Sequence, residues 1–203
     1  MEKREDLKYS SDWFSKNLAE ILYWVKPHIG GLESPSILEI GAYEGLSTRW
    51  FIENLLNRGG SIDTVDTWEG SAEHHQWKMD LTGLYSAFMH NLGDYIDAGV
   101  CTPHRGMSRD VLPVLLGQGK RYDFIYVDGS HAAADVMIDG VLSYLLLKDG
   151  GIIMFDDYVW GIEDRRAQDI PYPAIEFIRE TFTDKRMLET IGMNLTATFR
   201  KPR

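Results

Sequence analysis

The chain is short of cysteine, of positive charge and of long apolar runs. Cys101 is its one cysteine in 203 residues. That excludes a disulfide within the chain and a cysteine-based zinc cluster. It suits a reducing compartment, and a cytoplasmic location is expected. Lysine and arginine number 21 against 31 aspartates and glutamates, a formal net charge of −10. That balance argues against nucleic acid and anionic membrane as partners, since both demand basic patches. No stretch reaches the ~18 apolar residues of a membrane span. The first residues, Glu2, Lys3, Arg4, Glu5 and Asp6, are charged, and no apolar run behind them resembles a signal peptide. Internal repeats and low-complexity tracts are missing as well. What is left, 44% hydrophobic and 26% charged residues, suits one globular domain over residues 1–203 with one sizeable core.

Short β-branched and aromatic runs alternate with helical spacing. Residues 11–26 carry Trp13, Phe14, Leu18, Ile21, Leu22 and Val25 at close to helical intervals, and Pro27 with Gly30-Gly31 is expected to end that helix. Strands are expected at Ser36–Ile40, Ser61–Val65, Val100–His104, Tyr122–Val127 and Ile152–Phe155. Pro103 predicts an edge position for the third. Helices are expected at Ser47–Asn57, Ser108–Leu116, Ala132–Leu147 and Pro173–Thr181. Residues 67–98 read as a helical insertion forming a cap. Arg186–Thr190 and Asn194–Arg200 read as a hairpin turning at Ile191-Gly192-Met193. Alternating β and α with a terminal hairpin gives an α/β, doubly wound, mostly parallel sheet.

Chemistry-bearing residues gather at the ends of the strands. Gly41-Ala42-Tyr43-Glu44-Gly45 joins the first strand to its helix, where glycine lets the backbone approach a ligand. Asp66 ends the second strand, placed to accept from both hydroxyls of a ribose. Asp128-Gly129-Ser130-His131 follows the fourth strand and Asp156-Asp157 the fifth. Three acids at one sheet edge repel each other unless a cation sits among them. Asp128, Asp156 and Asp157 are hard oxygen donors suited to Mg²⁺, Mn²⁺ or Ca²⁺. His131 is the candidate general base. Of His74 and His75, adjacent on a helix, at most one faces the site. Trp68, Trp77, Tyr158 and Trp160 are candidates to line a substrate pocket.

These motifs resemble class I S-adenosylmethionine (SAM)-dependent O-methyltransferases. Glu39-Ile40-Gly41-Ala42-Tyr43-Glu44-Gly45-Leu46-Ser47 is similar to their first motif in the form used by the catechol O-methyltransferase group. Gly106-Met107-Ser108-Arg109-Asp110 resembles the adenine-side motif. Val127-Asp128-Gly129-Ser130-His131 and Phe155-Asp156-Asp157-Tyr158 look closer still to a bacterial branch of small methyltransferases. The resemblance covers roughly residues 36–200. It implies a Rossmann-like seven-stranded sheet in the order 3-2-1-4-5-7-6, with an antiparallel C-terminal hairpin. It implies SAM as cofactor, contacted by Glu39, Gly41, Ala42, Tyr43, Gly45, Ser47, Asp66, Thr67, Trp68, Ser108, Arg109 and Asp128. It implies metal ligation by Asp128, Asp156 and Asp157, and a hydroxylated small molecule as methyl acceptor. Two departures stand out: catechol-type members carry lysine where this chain has His131, and residues 67–98 have no counterpart there.

Two other readings stay open on the same residues. One is a nicotinamide-dependent oxidoreductase, against which Gly-x-x-x-Gly and the terminal hairpin argue. The other is a non-catalytic nucleoside-binding module, against which the acid cluster argues. The apolar N-terminal helix would suit a homodimer contact.

Overall fold

The computed structural model describes residues 6–56 and 59–203. The charged stretch Glu2 to Glu5 and the expected helix end at Asn57 lie outside the described residues. Among those described, β1 (Ser36–Ile40), β2 (Ser61–Asp66), β3 (Cys101–Arg105), β4 (Tyr122–Val127), β5 (Leu147–Phe155), β6 (Glu189–Met193) and β7 (Ala197–Arg200) form one sheet. Its order is β3-β2-β1-β4-β5-β7-β6, as expected. The pairs among β1 to β5 are parallel, and β7 pairs antiparallel with both β5 and β6. No helix among the described residues is long and apolar enough to cross a membrane.

Both faces of the central strands are buried, because parallel strands are covered by their crossover helices. Side chains alternate between two cores. Ile37, Phe124, Tyr126, Ile152 and Met154 face one, with Phe51, Phe88 and Leu92. Leu38, Ile40, Ile125, Val127, Ile153 and Phe155 face the other, with Leu115, Val136 and Ile178. Pro103 does lie on an edge strand, β3, which pairs only with β2.

The N-terminal segment differs from the expected helix over 11–26. A 3₁₀ turn (Ser15–Asn17) leads through α1 (Leu18–Glu20) and a π turn (Ile21–Val25) to α2 (Lys26–Ile29). Pro27 is therefore inside the helical run and does not stop it. The Lys26 N–H reaches back to the Ile21 carbonyl, which resets the ladder just before the proline. Pro27 then sits in a first turn, where a missing donor costs nothing. Phe14, Ile21, Val25 and Ile29 pack into the chain's own core. Trp13, Leu22 and Tyr23 of the same segment stay exposed.

After β1 come α3 (Leu46–Leu55), α4 (Ala72–Gln76) and α5 (Leu84–Asp97). The expected cap over 67–98 is corrected in its extent. Leu84, Phe88, Leu92 and Tyr95 of α5 are core residues, so α5 is the crossover between β2 and β3. Its apolar stripe at helical spacing is what fixes it there. The part around α4, with Leu84 at the start of α5, reaches the carboxyl edge of the sheet. Then α6 (Ser108–Gly117), α7 (Ala133–Leu146) and α8 (Tyr172–Asp184) complete the layers, with Pro113 held inside α6.

The hairpin turns at residues 194–196, three positions later than expected. Gly192 is a strand residue next to a register shift. A Cβ there would lie 2.5 Å from Trp24 Nε1. The glycine therefore marks a close approach of the strand to the N-terminal helix, not a turn. Gly192→Val should cost about 1–3 kcal/mol through overpacking. Thermal unfolding should show a melting temperature several degrees lower; an unchanged value would mean that strand and helix separate freely at this point.

Candidate active site

The parallel register aligns the strand ends. Ile40 pairs with Val65 and with Val127, and Val127 pairs with Phe155. The next residues of all four strands therefore emerge at one carboxyl edge, between β1 and β4, where strand order reverses. A cavity of about 530 Å³ opens there. It is lined by Gly41, Ala42, Tyr43, Ser47, Asp66, Thr67, Ser108, Asp128, His131, Asp156 and Asp157 among others.

The glycine loop is built for a close approach. Gly41 has φ +87°, and a Cβ on it would fall 1.9 Å from the Asp128 carbonyl oxygen. Asp66 braces the loop. Its Oδ2 accepts from the Ala42 and Tyr43 N–H groups at 2.8 and 2.9 Å, and its Oδ1 from the Trp68 N–H at 2.7 Å. A carboxylate has about four acceptor positions. Three are taken, which leaves one acceptor position open.

Four expected cofactor contacts lie elsewhere. Glu39 is fully buried and absent from the cavity wall. Its carboxylate accepts from the Ser47, Thr48 and Thr64 hydroxyls, and burial pushes it up to about 7. It ties the start of α3 to β1 and β2 and shapes the site from behind. Gly45 turns the chain into α3 at φ +83° against Leu92. Trp68 is a core residue whose indole N–H donates to the Tyr43 carbonyl. Arg109 is half exposed, 4.0 Å from Asp135. Of the aromatic candidates, Trp77 and Trp160 line the cavity, whereas Tyr158 and Trp68 do not. His74 lines it too, and His75 does not. Burial lowers the His74 pKa, and its Nδ1 accepts from the Ser71 N–H.

The acid cluster is more ordered than three adjacent charges suggest. Asp156 is buried, with both oxygens engaged. Oδ2 accepts from Asn17 Nδ2 at 2.7 Å and the Tyr126 hydroxyl at 2.8 Å, and Oδ1 accepts from the Asp157 N–H at 2.6 Å. Burial and the neighbouring Asp157 charge raise its pKa. Asp157 carries φ +54°, a conformation that costs energy in a non-glycine residue. Its Oδ1 lies 2.6 Å from Lys16 Nζ and its Oδ2 lies 3.0 Å from His131 Nε2. Burial alone would raise its pKa, but the His131 and Lys16 contacts outweigh that and hold it below the usual range. Asp128 is pushed up, by burial first and then by the charges of Asp156 and Asp157.

Asp128, His131 and Asp157 each bring one ligand atom within 4.8 Å of the others. The two carboxylate oxygens are hard donors that fit a divalent cation, with the imidazole beside them. Asp156 is outside that group but lines the same cavity. Three of its acceptor positions are taken by Asn17, Tyr126 and the Asp157 N–H.

An ionised carboxylate only accepts. The bond to Asp157 therefore places an imidazole hydrogen on His131 Nε2, and Nδ1 has no hydrogen-bond partner among the described residues. The ring is packed on Trp160, centroids 4.1 Å apart. Glu73 of α4 has Oε1 3.8 Å from His131 Nδ1. Asp139 of α7, 1% exposed, also lines the cavity, and burial pushes it up to about 7. Glu73, Asp139, Lys16 and Asn17 were not singled out from sequence. A signal existed for two of them: Asn17 falls in the stripe Phe14, Ile21, Val25, and Asp139 in the stripe Val136, Ser143, Leu146. A polar residue inside an apolar stripe demands a buried partner or a function.

A family model described as a methyltransferase domain matches residues 38–158. The O-methyltransferase hkm8 of Aspergillus hancockii is 30% identical over 122 residues, 60% of this chain. The match spans only 42% of that relative's length. Among solved structures, the O-methyltransferase TomG of Streptomyces achromogenes, involved in tomaymycin synthesis and in complex with SAM, superposes with a TM-score of 0.68. It is 18% identical, with 98% of this chain and 83% of that chain covered. The MycE methyltransferase of the mycinamycin biosynthetic pathway, in complex with Mg, SAH and mycinamycin VI, gives 0.66 at 14% identity, covering 95% of this chain and 50% of that one. At such identities the superpositions establish a shared fold.

Proposed function

The chain belongs to the methyltransferase domain family, and on that premise we propose that it transfers a methyl group from SAM to a hydroxyl of a small-molecule acceptor. One observation carries the reading. The glycine loop, Asp66, His131 and the acids Asp128 and Asp157 line a single cavity at the switch point of the sheet. Gly41, Ala42 and Tyr43 offer backbone to the cofactor, Asp66 an acceptor to its ribose, and Ser108 a hydroxyl on the adenine side. The sulfonium methyl is already electrophilic, so the protein's task is to align an oxygen and remove its proton. His131 takes that proton at Nδ1, with Asp157 holding the ring from Nε2.

Asp128 and Asp157 would hold Mg²⁺, Mn²⁺ or Ca²⁺, the first of which accompanies the mycinamycin-pathway enzyme. Such an ion, when bound, supplies Lewis acidity to the acceptor oxygen. Lys16 already compensates Asp157, so an ion entering there competes with an ammonium group. The reading is tested by following SAH release over a panel of hydroxylated metabolites, with and without chelator. Turnover should fall in excess chelator and return with Mg²⁺ or Mn²⁺, and Asp157→Asn should raise the concentration needed. Full turnover in chelator would leave Lys16 as the sole counter-charge; no SAH from any acceptor would remove the transferase reading.

A further inference from the structure

We propose that Glu73 recognises a protonated amine carried by the methyl acceptor, an inference that rests on the methyl-transfer reading above. Glu73 lies on α4, the segment that reaches over the cavity, and its side chain is only 8% exposed. Its Oε2 is buried with no hydrogen-bond partner among the described residues. Its Oε1 faces His131 Nδ1 at 3.8 Å, and Nδ1 has no hydrogen-bond partner either. At that distance the two atoms face each other without a hydrogen bond between them. No other described residue supplies a partner, which leaves the buried Glu73 oxygen open to a donor on the ligand.

The charge of the wall decides which donors. Glu73, Asp66, Asp128, Asp156 and Asp157 line the cavity, and Lys16 is the one lysine or arginine among its described lining residues. Lys16 is committed to Asp157. A second hydroxyl on the acceptor would fill the hydrogen bond to Glu73 but leave a buried carboxylate uncompensated. An ammonium does both. A hydroxyl of the same molecule then reaches Nδ1, so the amine at Glu73 presents the reacting oxygen to the base.

The test uses tyramine and 4-aminobutan-1-ol, each against its N-acetyl form. Both members of each pair keep the hydroxyl, and only one carries charge. Each probe is titrated into the SAH-loaded protein as wild type, Glu73→Gln and Glu73→Asp. Wild type should bind the amines about tenfold or more tightly than the acetylated forms, as expected of a hydrogen bond to a charged group. Glu73→Gln should abolish that preference, and Glu73→Asp should keep part of it. Equal binding within both pairs by wild type, or a preference that survives in Glu73→Gln, overturns the proposal. So does a weaker SAH affinity in Glu73→Gln, which would assign the carboxylate to the cofactor. A protein that prefers the amines but binds no SAH would fail the methyl-transfer reading alone.

Discussion

His131→Ala should lower kcat by about 10²–10⁴ while SAM affinity stays within a few fold of wild type. The expectation comes from how the ring is held. Asp157 fixes Nε2 at 3.0 Å, Trp160 supports the face, and Nδ1 is left without a hydrogen-bond partner. A ring fixed in that way loses little freedom when the acceptor arrives, so its removal deletes a prepaid orientation as well as a base. The rate profile should change shape too. A general base gives a limb that falls as pH falls, and the alanine variant should lose that limb. His131→Gln keeps bulk and a hydrogen bond to Asp157 but cannot take a proton, so it should be nearly as slow. If the variants keep the limb and most of kcat, another group deprotonates the acceptor.

Asp66→Ala should weaken SAM binding by about 10- to 150-fold, since a hydrogen bond to a charged group is worth about 1.5–3 kcal/mol. Two losses combine. The cofactor loses its ribose acceptor, and the N–H groups of Ala42, Tyr43 and Trp68 lose theirs. The loop that must approach the ligand is therefore loosened in the free protein as well. Asp66→Asn keeps one acceptor oxygen and should fall between wild type and alanine. Direct titration reads both, and hydrogen exchange at Ala42 and Tyr43 reads the loop. An unchanged dissociation constant in the alanine variant would take Asp66 out of the cofactor site.

The sheet was readable because its signals are local and redundant. Ile37-Leu38, Phe124-Ile125-Tyr126-Val127 and Ile152-Ile153-Met154-Phe155 are buried on both faces, and a glycine or an acid closes each run. Pro103 announced the edge strand by the donor it lacks. The edges of elements were less legible. Gly192 looked like a turn residue, and only the approach of Trp24 explains it. Pro27 looked like a stop, and only the π turn before it makes it tolerable. For α5, the stripe of Leu84, Phe88, Leu92 and Tyr95 was visible, but its destination in the core was not.

The site divides in the same way. Residues placed by strand ends, such as Asp66, Asp128, His131 and Asp157, were legible because register carries them to one edge. Lys16, Asn17 and Glu73 reach that edge from segments far away in sequence, and no local pattern records such a meeting. Glu39 misled for a related reason. A strand residue next to the glycine loop faces either the ligand or the core, and the pleat sends this one inward to Ser47, Thr48 and Thr64. The partners of Asp156 were hidden for the same reason: Asn17 and Tyr126 both donate to its Oδ2, and nothing in the Asp-Asp pair announces them.

Titration of SAM into the wild-type protein, beside an identical titration of a reduced nicotinamide cofactor, tests the central claim most directly. One SAM per chain should bind, with Asp66→Ala weakened and the nicotinamide silent. Saturable nicotinamide binding without any SAM binding would contradict the account and return the cavity to the oxidoreductase reading.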